Sequence, residues 1–396
     1  MSNQMQLDKI TKVVAVMAYA RAASGLWSSL LDGHPNILTT PDCLLMTFYD
    51  FWKESGHLHL NELITAFFEK YNIMFDAREP CKCHGPHRNC GDYLGWTSMG
   101  ADRSQFIYVD KEKFRIEMEK LLGKQYPVSR KLFFQALHLA YTKGTGKEIS
   151  WPVIISFGLH VGNVEKTKKL LEDFPDTYFL QTVRNPINGF GSWIRHYDKE
   201  HKLNYKDPIF LFIMGLGGAE PLATNRPDLW KAVRLEDIHT QPKKTLEKVC
   251  SWLDLSWNDS LMKSTWNGIQ WWNEKNAKQV SGFSNKIVNQ KFEFYLSSFD
   301  KFRLEILLSS KISTWNYESK KWVKTFFAKI LVLPLLLFPF KMEFLAVKEP
   351  KLEKNFIIRS AYYIWKLSCM YGLCRVVIFW NWLKLCFGKN NNVNLL

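Results

Sequence analysis

Cysteine is scarce in this chain, with 8 in 396 residues, and no two of them take the C-x2-C spacing of common zinc and redox sites. So few cysteines make no disulfide scaffold and point to a reducing, intracellular compartment. The opening stretch, "MSNQMQLDKITKVVAVMAY", lacks an apolar core of roughly 7–15 residues behind a basic start, so no secretory signal is expected. Long apolar runs are missing too. "KILVLPLLLFPFK" has 11 residues between Lys329 and Lys341, with Pro334 and Pro339 inside, where a spanning helix needs roughly 20. The stretch 361–387 is long enough but is interrupted by Lys366, Arg375 and Lys384. No true P-loop is present: "YTKGTGKEI" (141–149) lacks the first Gly and the closing Ser or Thr of G-x-x-x-x-G-K-S/T. Repeats and low-complexity tracts are absent apart from the short "NNNVN" end. Acidic residues are outnumbered, 38 against 53 basic ones, for a net charge of +15. Residues 320–396 carry 13 Lys or Arg and 3 Glu, a local +10, so most of the excess sits in the last fifth and implies an anionic partner there.

What is present reads as a globular α/β chain, 46% hydrophobic and 23% charged. "KVVAVMAY" has the composition of a buried strand, and "SGLWSSLLDG" after it has helical spacing. Residues 43–72, 111–122 and 129–143 read as helical. "PVIISF" and "TYFLQTV" (177–183) read as strands separated by a charged helix at "EKTKKLLED", and "KAVRL" as a further strand before a helix at "KKTLEKVCSWL". Strand–helix–strand alternation predicts a parallel sheet flanked by helices, with ligands at the carboxyl ends of its strands.

Two places at such ends suit an anion. Between the first strand and its helix lie Ala20, Arg21, Ala22, Ala23, Ser24 and Gly25, small residues that let backbone N–H groups approach a ligand. In "TVRNPINGFGSWIRH", Arg184 ends a strand, Asn185-Pro186 starts a helix, and Ser192 stands eight residues on from the arginine. Arg and Ser together make a phosphate clamp.

These stretches resemble the two cofactor motifs of the sulfotransferases that use 3′-phosphoadenosine 5′-phosphosulfate (PAPS). The family's first loop reads P-R-S-G-T-T or R-S-G-S-G-L before a helix and His-Pro; here it is "ARAASGLW" with "LLDGHPNI" behind it. Its second motif, Arg-Asn/Asp-Pro with a Ser eight residues after the Arg, is matched at Arg184, Pro186 and Ser192. "AVRLEDIHTQPKKTLEKVCSWLDL" (232–255) is similar to the family's V-R-Y-E-D-L segment. Ala22 and Ala23 depart from the usual Ser-Gly. The resemblance implies a P-loop-like parallel sheet flanked by helices and in-line sulfuryl transfer from PAPS with no metal required. It implies that Arg21, Ala22, Ala23, Ser24, Gly25 and Leu26 hold the 5′-phosphosulfate, with Arg21 also neutralising charge on the bridging oxygen. Arg184 and Ser192 would bind the 3′-phosphate.

Two groups compete for the role of general base: Asp42, 21 residues after Arg21 in "TTPDCL", and His160, 24 residues before Arg184 in "IISFGLHVGN". The loop "CKCHGPHRNCGD" offers Cys81, Cys83, His84, His87 and Cys90, a set able to hold a structural zinc, although the spacing matches no common zinc pattern. Residues 1–320 are expected to form the transferase domain, with acceptor-site loops at about 55–130 and 197–230. Residues 321–396 are expected to form a basic, α-helical extension lying on an anionic membrane surface, at the cytoplasmic face. A hydrophobic subdomain is the alternative reading of that tail. The acceptor is expected to be a hydroxyl, less readily an amine, of a carbohydrate or lipid-linked molecule. The alternative for the whole chain is a catalytically weak nucleotide-binding or membrane-associated scaffold. No nucleic acid is expected as a partner.

Overall fold

The computed structural model describes residues 3–18, 24–41, 47–80, 90–123, 126–160, 164–201, 203–217, 226–273, 280–290, 292, 294–347, 356–388 and 392–396. Its centre is a five-stranded sheet: β1 (Ile10–Ala18), β2 (Ile37–Thr39), β3 (Val153–His160), β4 (Tyr178–Val183) and β5 (Trp230–Arg234). The order across the sheet is β2-β3-β1-β4-β5, and every pairing is parallel. The α/β expectation is met, and all five strands leave the sheet at the same edge.

Parallel strands need helical crossovers, which cover both faces and make each strand apolar on both sides. β1 shows this directly. Val13, Ala15 and Met17 point into one core cluster and Val14 and Val16 into another. The second cluster lies under α1 (Ser24–Leu31), which follows β1. The first is larger and takes in α2 (Phe48–Ser55), α3 (Leu60–Lys70), α4 (Lys111–Leu122) and α5 (Arg130–Gly144). The described part of the region read as helical at 43–72 holds two helices, α2 and α3, between which the chain turns at Gly56 before His59 caps α3. Residues 42–46 lie outside the described residues.

After β3 come α6 (Val164–Asp173), then β4, α7 (Pro186–His201) and α8 (Asp207–Leu216). β5 leads into α9 (Leu235–Thr240) and α10 (Pro242–Leu253), which close the second cluster. A hairpin of β6 (Thr265–Trp266) and β7 (Ile269–Gln270) turns at Asn267-Gly268, both with positive φ (52° and 74°), the conformation that favours Asn-Gly in a two-residue turn. Asp32, at the end of α1, holds this hairpin. Its carboxylate accepts from Thr39 Oγ1 (2.9 Å), Thr265 Oγ1 (2.9 Å) and the Gly268 N–H (3.0 Å).

The segment from 321 onward packs on the sheet domain, following α11 (Ser298–Leu307) and α12 (Ser309–Thr314). It contains α13 (Phe326–Val332), a 3₁₀ turn at Pro334–Leu337, α14 (Lys341–Leu345) and α15 (Phe356–Phe387). Val323, Val332, Leu336, Phe340, Met370, Cys374 and Ile378 are buried in the larger cluster. The two prolines break helical pairing, and buried arginines take up the freed carbonyls. Arg303, fully buried, donates to Leu335 O (3.1 Å), Phe338 O (2.5 Å) and Pro339 O (3.1 Å) and pairs with Asp300 at 2.6 Å. Arg375, from α15, donates to Leu336 O (2.5 Å) and Phe338 O (2.8 Å) and pairs with Glu343. Residues 392–396 run beside β5. Ala232 N–H donates to Asn394 O (2.8 Å), Leu396 N–H donates to Ala232 O (2.9 Å), and so the sheet edge is covered.

Inside α5, His138 is fully buried between the Phe134 and Phe157 rings. Its Nδ1 is 2.8 Å from Phe134 O and so carries the proton, leaving a bare Nε2 with no partner. Burial pulls its pKa down from 6.5 to about 4. Between these values the unfolded chain binds the extra proton, so stability falls as pH falls from 6.5 toward 4, by up to about 3 kcal/mol for this one group. His138→Leu is expected to flatten that part of the profile in denaturant titrations across the window. A slope equal to wild type would show that His138 does not carry it.

Candidate active site

β1 and β4 are neighbours in the sheet, yet the chain leaves them in opposite directions. From β1 it crosses to β2 on one edge; from β4 it crosses to β5 on the other. The crevice outside their carboxyl ends is where ligands bind in sheets of this kind. Both candidate anion sites open there.

On the β1 side, Arg21, Ala22 and Ala23 lie outside the described residues. Ser24, Gly25 and Leu26 lie at the start of the described part of α1. The first N–H groups of a helix have no internal partner and are free for an anion. Asp32 and His34, from "LLDGHP", are structural. His34 Nδ1 accepts from the Asn36 N–H (3.1 Å), and its Nε2 donates to Ser256 O (3.0 Å).

On the β4 side the geometry is better defined. Asn185 caps α7, its Oδ1 accepting from the N–H groups of Ile187 (3.1 Å) and Asn188 (3.2 Å), with Pro186 in the first position of the helix. The turn is held from α9 by Glu236, which accepts from the Asn185 N–H (3.0 Å) and from the Tyr317 hydroxyl. Arg184 is thus fixed at the strand exit, with its stem against α7. A Cβ at Gly189 would stand 3.3 Å from Arg184 Cγ, tighter than an ordinary contact. Ser192 is one turn further on the same face of α7 as Gly189, buried, and hydrogen-bonded to none of the described residues.

The state of Arg184 is the notable one. It is 5% exposed, its Nε–H has no partner, and no carboxylate pairs with it among the described residues. Burial lowers its pKa, with Glu236 and Tyr317 acting the other way. The Phe292 ring lies 5.6 Å from the guanidinium carbon. Beside it stands His239, whose Nδ1 accepts from the Ser284 N–H (3.1 Å). Its Nε2 therefore carries a proton with no acceptor. Burial first, and then the Arg184 charge, lower its pKa to about 4. Thr182 Oγ1 and Trp193 Nε1 are also buried without partners. A cationic fork and further unpaired donors at one strand exit suit a multiply charged anion such as a phosphate monoester. The residues present thus fit a phosphate group.

Sequence reasoning found Arg184 and Ser192 but assigned nothing to Glu236, His239 or Phe292. Glu236 and His239 sit within the third motif, "VRLEDIH", and only the β4–β5 pairing brings them to the Arg184 turn. His160 is the last residue of β3, and its backbone pairs with Ala18 at the exit of β1. The other candidate base, Asp42, lies outside the described residues, as do Cys81, Cys83, His84 and His87. Cys90 is buried in a single helical turn, Cys90–Tyr93. No cluster of three metal-ligating side chains occurs among the described residues. The lysine of the P-loop look-alike, Lys147, is held before β3, at the opposite end of the sheet. It donates to Asp32 O and Ile37 O, and burial lowers its pKa to about 8.

Comparison with protein-family models and with curated proteins finds no match. Among solved structures, the chain is similar to the sulfotransferase domain from the curacin biosynthetic pathway, at 14% identity and TM-score 0.38, over 78% of this chain and 99% of that one. It is similar to the sulfotransferase domain of the Synechococcus PCC 7002 olefin synthase, at 14% identity and TM-score 0.33, over 72% and 84%. Sulfotransferase STF9 from Mycobacterium avium follows at 12% identity and TM-score 0.32, over 65% and 68%. At that distance a functional reading has to rest on the chemistry of the site itself.

Proposed function

We propose that this chain is a sulfotransferase that moves a sulfuryl group from PAPS to a hydroxyl of a carbohydrate or lipid-linked acceptor. The observation that carries the reading is Arg184: a buried guanidinium without a counter-ion among the described residues, at the switch point of a parallel sheet, on the strand–turn–helix unit that also carries Ser192. A buried unpaired charge is costly, and a 3′-phosphate bound there supplies the missing anion. The first turn of α1 and the preceding residues from Arg21 would hold the 5′-phosphosulfate through backbone N–H groups.

In the reaction an acceptor oxygen bonds to sulfur while the bond from sulfur to the bridging phosphate oxygen breaks, releasing adenosine 3′,5′-bisphosphate. Arg21 would stabilise the charge growing on that bridging oxygen. The acceptor proton passes to a base, His160 or Asp42. Register supports His160, which ends its strand beside the exit of β1.

Residues 321–387 would attach the protein peripherally to an anionic membrane surface at the cytoplasmic face, with their helices in the membrane plane. Among the described residues no helix is long and apolar enough to cross a membrane. α15 nevertheless exposes Trp365, Leu373, Val376, Trp380, Leu383 and Phe387, each more than 40% accessible. α13 exposes Phe326, Phe327, Ile330 and Leu331. Monomeric soluble proteins rarely leave apolar surface of this extent in water.

The donor assignment is tested by calorimetry. Wild type is expected to bind adenosine 3′,5′-bisphosphate more tightly than adenosine 5′-phosphate by about 2–4 kcal/mol, and Arg184→Met to erase that difference. Equal affinities in wild type would remove Arg184 and Ser192 from the site.

Turnover is tested with radiolabelled PAPS and extract as acceptor. Arg21→Ala is expected to abolish transfer while leaving thermal unfolding unchanged. Of Asp42→Asn and His160→Ala, only the one that removes the base should flatten the pH–rate profile. Arg21→Ala turnover within threefold of wild type would discard the loop as the phosphosulfate site.

Attachment is tested by fractionation. Alkaline carbonate is expected to release the full chain from membranes, at least in part. Complete retention in the pellet would defeat the in-plane arrangement.

A further inference from the structure

Where α12, α13 and the end of α15 meet, the surface opens into a cavity of about 480 Å3. Its walls carry the hydroxyls of Ser309, Ser310 and Ser313 and the ammonium groups of Lys324, Lys329 and Lys384, with no Asp or Glu among the lining residues. The lysines are not spent on ion pairs. Lys324 Nζ reaches Ser313 Oγ at 3.5 Å, Lys329 Nζ donates to Leu385 O at 2.9 Å, and Lys384 Nζ stands 5.9 Å from the centre of the Trp380 ring. None of the three has a carboxylate partner among the described residues. Three cations and a row of hydroxyl donors, unopposed by acid, match a phosphate group rather than a neutral or cationic ligand.

Two of the helices that build the cavity, α13 and α15, have exposed apolar faces. On α13, Phe326 and Phe327 precede Lys329, and Ile330 and Leu331 follow it. On α15, Trp380 and Leu383 precede Lys384 and Phe387 follows it. They are held side by side, Trp382 Nε1 donating to Lys329 O at 2.8 Å in return for the Lys329–Leu385 bond. A soluble phosphate compound needs only the polar cavity. A lipid needs a cationic, hydroxyl-lined recess bordered by apolar side chains that enter the acyl layer, and that is the arrangement here.

We propose that this cavity is a headgroup site for an anionic phospholipid bearing a terminal phosphate monoester, seated as the apolar faces of α13 and α15 enter the membrane. The inference rests on the membrane attachment proposed above and adds a chemical preference to it. Charge alone draws lysines to any anionic surface at about 1 kcal/mol each. A formed site instead selects the monoester over a diester of equal charge.

The test uses the full chain and flotation with three kinds of vesicle: phosphatidylcholine alone, and phosphatidylcholine with phosphatidylserine or with phosphatidic acid, the latter two matched in surface charge. Wild type is expected to favour phosphatidic acid over phosphatidylserine by roughly tenfold. Lys324→Gln with Lys384→Gln should bring that ratio to about one. Lys320→Gln with Lys321→Gln, outside the cavity lining, should weaken both bindings and keep the ratio. Equal binding of wild type to the two anionic vesicles would overturn the site and leave the attachment standing. No binding to any vesicle would overturn the attachment and the site with it. Glycerol 3-phosphate binding in calorimetry, lost in the cavity variant and without any vesicle preference, would assign the cavity to a soluble phosphate and overturn the lipid.

Discussion

A parallel sheet delivers every strand to the same edge. Hydrogen bonding between neighbours fixes their direction, and the return crossing is made outside the sheet by a helix. In the order β2-β3-β1-β4-β5 this gathers the exits of β1, β3 and β4 into one row, with β1 in the middle. His160 and Arg184 therefore lie along one edge, on either side of the β1 exit, although they stand far apart in the chain. The register makes the meeting specific, since Ala18 pairs with His160 while Met17 pairs with Gln181, three residues before Arg184. Packing on both faces depends on the same constraint. Strands covered on both sides are largely apolar, so a polar side chain near a strand exit, such as Thr182, is buried with no partner among the described residues.

Much of this was legible in the sequence because its signals are local. The apolar strand runs, the Asn185-Pro186 helix start and the helices at 111–122 and 129–143 depend on residues within a few positions of one another, and all appear in the structure within one or two residues. The Arg184–Ser192 pair was legible for the same reason: both lie on one strand–turn–helix unit. What sequence could not supply is contact between distant segments. Glu236 steadies the Asn185 turn from 51 residues away, and His239 reaches Arg184 only through the β4–β5 pairing. The strand legible as "PVIISF" runs on to His160, because pairing with β1 continues through Gly158 and Leu159.

The tail shows the same limit from another side. Its composition is basic and rich in apolar and aromatic residues, yet composition does not say which side of a helix faces the protein. α15 buries Met370, Cys374 and Ile378 at helical spacing and exposes Leu373, Val376, Trp380 and Leu383 on the other side. A helix apolar all round belongs where both faces are covered. The protein covers one face of α15. The proline-broken run before it escapes the usual fate of such sequences because Arg303 and Arg375 replace the missing helical donors. Those bonds join residues 32–39 positions apart, and no local pattern betrays them.

Three buried arginines thus sort themselves by what meets their charge. Arg303 and Arg375 each have a carboxylate, Asp300 and Glu343, and between them take up the carbonyls of Leu335, Leu336, Phe338 and Pro339. Removing either partner would strand a charge, so these residues are fixed parts of the architecture. Among the described residues Arg184 has neither. Glu236 already accepts from the Asn185 N–H and the Tyr317 hydroxyl, and it acts on the guanidinium only at a distance. An arginine kept for packing would be placed like the first two, with its donors consumed by the protein. One left open, beside other unsatisfied donors and at the edge where a parallel sheet takes its ligands, is shaped for an anion that arrives from outside the chain.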